Sequence, residues 1–82
     1  MSVFMVERNL KGISMEDLGG AQKAAKMTAA GTDGKYIRST FAPDDGRCHC
    51  LFEAGAEADV KRLNDEAGLP YDTVVPALDL TP

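Results

Sequence analysis

The most chemically dense segment of this 82-residue chain is Arg47-Cys48-His49-Cys50-Leu51-Phe52-Glu53, which holds both cysteines and the single histidine. Imidazole and carboxylate together suit nickel, zinc and related ions, and thiolate widens the choice. If the segment is a strand, its period of two puts Cys48, Cys50 and Phe52 on one face and His49, Leu51 and Glu53 on the other. The first set is the more apolar and is expected against the core. His49 and Glu53 then point to the opposite face, but four residues of strand span about 13 Å, too far for the two to share one ion. The same residues also admit structural readings. Cys-x-Cys in a central strand suits a pair of small buried side chains. A closed zinc site needs four ligands at recognised spacings, which are missing.

Further ligands must come from neighbouring elements. Residues 3–10, VFMVERNL, read as a strand with Phe4 and Val6 on one face and Met5 and Glu7 on the other. Ser14 with Asp17 three places on resembles a capping box, and a helix is expected from there to about Ala30. Leu18, Ala21, Ala25 and Thr28 would line one side of it, and Gly31 would stop it. Gly19-Gly20 weakens this helix, and close packing on a sheet would explain the pair. Residues 35–42 and 47–54 flank Pro43-Asp44-Asp45-Gly46, a strong turn signal, and should form a hairpin. A second helix over 56–67 presents Ala56, Val60, Leu63 and Ala67 as an apolar stripe. Gly68 ends it and Pro70 prevents its return. Residues 72–78 supply a last strand, which Pro76 confines to an edge or a bulge.

Two β-α-β units sharing a central hairpin make an α+β, ferredoxin-like sandwich spanning 1–82 as one domain. Right-handed crossovers give an antiparallel sheet of order 4-1-3-2 with both helices on one face. Strand 3 then lies beside strand 1, so Glu7 and His49 approach each other across neighbouring strands. The metal-ligand candidates are His49, Glu7, Cys50, Cys48 and Glu53, although Glu7 would equally serve an ion pair with Arg8, Arg38 or Arg47. The other sheet face is left bare. A second copy of the chain is the expected cover, giving a homodimer.

Composition excludes several classes of function. Nine basic against thirteen acidic residues give a net charge of −4, the wrong sign for nucleic acid or anionic membrane surfaces. The strand aromatics of an RNA-recognition domain are also missing. No apolar run approaches the ~20 residues of a membrane span, and MSVFMVERNL lacks the features of a signal peptide. The expected location is the cytoplasm, with both thiols free. Catalytic machinery is not apparent. His49 and Cys50 face opposite ways and cannot form a nucleophile–base pair. No glycine-rich phosphate loop follows a strand.

Three blocks carry a family resemblance: Val6-Glu7-Arg8, Arg47-Cys48-His49-Cys50-Leu51-Phe52-Glu53-Ala54, and Ala67-Gly68-Leu69-Pro70. Together they resemble a bacterial family of small ferredoxin-like domains that includes a nickel-responsive, nickel-binding protein. The resemblance covers nearly the whole chain. It implies a ferredoxin-like dimer that binds Ni²⁺ near the dimer surface and serves nickel sequestration or tolerance. It does not carry over a ligand set. Two other readings compete. A dimeric ferredoxin-like protein can enclose a small-molecule pocket between its open faces, as a cofactor-free oxygenase or isomerase would, but Met5, Glu7, His49 and Glu53 make this face mixed and polar. A pure interaction module would bind neither metal nor small molecule.

Overall fold

The structure, a computed structural model, describes residues 1–80. The elements run β1 (Ser2–Asn9), α1 (Met15–Ala30), β2 (Lys35–Ala42), β3 (Arg47–Ala54), α2 (Glu57–Glu66) and β4 (Thr73–Ala77). One antiparallel sheet has the order β2-β3-β1-β4. This is the expected ferredoxin-like order, with β1 between β3 and β4. Element ends differ from the sequence expectation by one residue at most positions, and α2 loses Ala56 and Ala67, which become its caps.

Alternation decides which side of the sheet becomes core. Phe4 and Val6 of β1 and Cys48, Cys50, Phe52 and Ala54 of β3 are all buried. They pack with Ala25 and Ala29 of α1 and Val60 and Leu63 of α2 in one cluster. Phe52 is completely buried, and Tyr36 of β2 meets it edge to face with ring centroids 5.5 Å apart. Both helices therefore cover the face bearing the cysteines. Met5, Glu7, His49, Leu51 and Glu53 are half-buried on the other face.

Local signals explain where the elements stop. Ser14 caps α1, its Oγ accepting from the Asp17 N–H at 3.0 Å, which satisfies one of the free donors of the first turn. The turn from β2 to β3 closes as its residues dictate. The Asp45 carboxylate accepts from the Arg47 N–H at 3.0 Å, and Gly46 takes φ +78. A Cβ at Gly46 would sit 2.4 Å from the Lys11 backbone, so glycine is required there for space as well as for conformation. Gly68, at φ +71, ends α2. Pro76 sits in β4, which pairs only with β1 and so forms a sheet edge.

One local expectation needs correction. Gly19 and Gly20 do not mark close helix–sheet packing. Both are exposed, and a Cβ at either would meet nothing within 4 Å. On α1, Ala25 of the expected stripe is buried and Leu18, Ala21 and Thr28 are half-buried, with Ala29 added to the core. In addition, β2 is bulged between Tyr36 and Arg38. The bulge reverses the alternation there, so Tyr36, Ser39 and Phe41 pair with the buried Phe52, Cys50 and Cys48.

Candidate metal centre

Glu7 and His49 stand directly opposite each other in the β1–β3 ladder. The His49 Nε2 lies 3.9 Å from the Glu7 Oε1, and the side chains are 35% and 30% exposed. Two donors at about 2.0–2.1 Å from one ion, at the usual coordination angles, lie about 3.0–3.4 Å apart. A small rotation of either side chain closes the difference. The pair is open enough to admit a hydrated ion and leaves coordination positions for other donors. None of the three arginines pairs with Glu7 among the described residues. Arg8 is on the helix-covered face, and the Arg38 guanidinium meets Asp79.

The other three candidates do not join this pair. Glu53 is on the same face as His49, opposite Val3 and Lys35, four residues further along the strand. Cys48 and Cys50 lie beneath the sheet among the core residues, 2% and 6% exposed. An ion on the open face is out of their reach. Their sulfurs are 3.8 Å apart and both are free thiols. Burial pushes the Cys48 thiol up to about 11. The charge and hydrogen bond of Cys50 push the same way, and the Arg8 guanidinium opposes them. Cys48 is therefore a neutral thiol at neutral pH. The Cys50 sulfur accepts a hydrogen bond from the Ser39 hydroxyl at 3.0 Å. Ser39 in turn meets the Tyr36 hydroxyl at 2.5 Å, and Gln22 donates to that hydroxyl at 3.0 Å. Among the described residues, no three His, Cys, Asp or Glu side chains converge as one ligand cluster.

Sequence reasoning missed Arg8. It is only 5% exposed. Its Nη2 donates to the Asn64 Oδ1 at 2.8 Å and its Nη1 to the Pro70 carbonyl at 3.2 Å, while the Asn64 amide donates to the Val60 carbonyl at 2.9 Å. The signal was available: Arg8 continues the buried series Phe4, Val6.

The chain is thus a ferredoxin-like α+β sandwich that carries an imidazole–carboxylate pair, the kind of donor set borderline transition-metal ions accept, on its uncovered sheet face. A family model described as nickel responsive protein SCO4226-like matches residues 4–76. The chain belongs to that SCO4226-like family. The crystal structure of SCO4226 from Streptomyces coelicolor A3(2) superposes with a TM-score of 0.87 at 21% sequence identity, covering 98% of this chain and all of that one. At that identity the likeness shows the shared fold. No match is found among curated protein sequences. No helix of the described residues is long and apolar enough to cross a membrane.

Proposed function

We propose that this protein binds Ni²⁺ and performs no catalysis, serving sequestration or tolerance of the metal in the cytoplasm as a homodimer. The Glu7–His49 pair on the uncovered sheet face, in a chain of a nickel responsive family, carries the reading. His49 supplies a neutral imidazole nitrogen as the primary ligand and Glu7 a carboxylate oxygen. Water or the second copy of the chain fills the remaining positions. Cys48 and Cys50 stay out of the site as core thiols. Such a site exchanges metal readily, which suits buffering better than permanent structural binding. The bare face supports the dimer reading, since Met5 and Leu51 are only half-buried there and Val75 is 37% exposed. A symmetric second copy would cover it.

The test is calorimetric titration of the metal-free protein with Ni²⁺, Zn²⁺, Co²⁺ and Cu²⁺. Saturable Ni²⁺ binding is expected, with a gain in thermal stability that EDTA reverses, because a ligand bound only by the native state stabilises it. Affinity should fall as pH is lowered, because protons compete with metal for an imidazole ligand. Sedimentation should give a dimer at micromolar concentration. Absence of Ni²⁺ binding ends the reading, and a stable monomer ends its shared-site form.

A further inference from the structure

The helix-covered side holds a second feature that nickel binding leaves unused. A cavity of about 140 Å³ lies between α1 and the sheet. Its wall combines Arg8, Ser39 and Cys48 with the apolar side chains of Leu10, Leu18 and Phe41. An engineered cavity of about 150 Å³ holds a benzene molecule, so this space matches a ligand of one small ring or a short branched chain.

Arg8 gives the cavity its chemistry. A guanidinium carries five N–H donors and a fixed positive charge. Here two hydrogen bonds are made, both to neutral oxygens, those of Asn64 and Pro70. The buried Nε has no partner. Among the described residues no carboxylate forms an ion pair with Arg8; the carboxylates that meet a basic side chain meet others. The adjacent Cys48 thiol is neutral and offers no compensating charge. A cation this deeply buried is costly unless an anion meets it.

We propose that this cavity is a binding site for a small organic monocarboxylate. Its head meets the Arg8 guanidinium, and its apolar body fills the space between α1 and β2. One guanidinium with no second cation matches a single negative charge. The apolar wall disfavours inorganic phosphate, which carries more charge and has no apolar body. The site is on the opposite face from Glu7 and His49 and is independent of the metal.

The test uses the full chain in EDTA, with ¹H–¹⁵N spectra that resolve the Arg8 Nε–H group. Benzoate is expected to shift that signal saturably. Benzyl alcohol, of similar size and neutral, should bind about tenfold more weakly or worse, as loss of a charge-assisted bond implies. Inorganic phosphate should leave the signal unmoved. Arg8→Leu, which lacks the Nε–H group and is followed instead through the backbone amide signals of the cavity wall, should remove the benzoate preference. Ala21→Leu, which narrows the cavity from α1 and keeps Arg8, should weaken benzoate in the folded protein. No saturable benzoate shift, equal binding of benzyl alcohol, or phosphate acting in benzoate's place would each overturn the proposal. If Arg8→Leu fails to fold, the three ligands on the natural chain still decide the matter.

Discussion

On the helix side of the β1–β3 pair, Phe4, Val6, Cys50 and Phe52 are each at most 6% exposed. On the other side of the same two strands, Met5, Glu7, His49 and Leu51 are all half-buried. A single step along either strand separates the two environments, because successive side chains of a strand point to opposite faces. Stability and candidate chemistry are thereby interleaved in sequence and segregated in space. Neighbouring residues should respond to substitution in opposite ways, and this gives the comparison its tests.

The largest effect belongs to the core. Phe52→Ala should destabilise by about 3–5 kcal/mol, the cost of removing a fully buried ring and leaving a cavity. For an 82-residue domain that is a large share of the total stability. Leu51→Ala, one residue away on the half-buried face, should cost much less. Chemical denaturation of both variants reads the contrast. Equal losses at dilution, where the proposed dimer is dissociated, would show that a single chain buries the open face as deeply as the core.

The second effect is on metal. His49→Ala should weaken Ni²⁺ binding at least tenfold, or about 1.4 kcal/mol or more, with the circular-dichroism spectrum unchanged. Cys50→Ser should leave Ni²⁺ affinity unchanged and lower stability by about 1–2 kcal/mol. Reversal of these two outcomes would move the metal to the thiol face.

The third effect tests the buried arginine. Asn64→Leu removes the acceptor of the Arg8 Nη2 and should cost about 1–3 kcal/mol, the penalty for an orphaned buried donor. Arg8→Leu combined with Asn64→Leu should recover much of that loss, because the polar requirement goes with the arginine. Additive losses in the double variant would show that Asn64 acts through packing alone.

The fourth effect concerns the buried thiols. The Cys48 proton is held up to about pH 11 in the folded chain, while an ordinary cysteine loses its proton at about 8.5. Between those values the unfolded chain binds fewer protons than the native one, so stability falls as pH rises. The contribution is fully present below the ordinary thiol range and is lost through about pH 11. Cys48→Ala should flatten the alkaline part of a stability–pH curve, whereas His49→Ala should not.

Much of this arrangement is legible in the residue order. The strand alternations, the turn at Gly46 and the stop at Gly68 and Pro70 specify the elements, and handedness then places β1 beside β3. Glu7 and His49 meet because both occupy the odd-numbered face of their strands. The buried Arg8 was harder to read because a charged side chain at a strand end ordinarily reaches water. Its burial depends on Asn64, 56 positions away in α2, and on the Pro70 carbonyl. The Gly19-Gly20 pair misled for the opposite reason. Missing side chains suggest close packing, but here they face open space. The β2 bulge left no trace because Ile37 fits either face of a strand equally well.

The smallest effect lies on the open face itself. β4 is at one sheet edge and β2 at the other, yet the Arg38 guanidinium of β2 meets Asp79, two residues past the end of β4. Arg38 stands opposite Leu51, so the contact is made on the helix-free side, where the proposed second copy would also dock. The two side chains are 47% and 22% exposed, and solvent-exposed ion pairs are worth about 0–1 kcal/mol. A double-mutant cycle on Arg38→Ala and Asp79→Ala should give a coupling at the lower end of that range. It should vanish in 1 M salt, where the screening length is only about 3 Å. Dimer affinity should change little in either variant, since so weak a tether cannot compete with burial of a sheet face. A large, salt-resistant coupling would instead make this segment a fixed cover over the open face, and the dimer would then have to form through another surface.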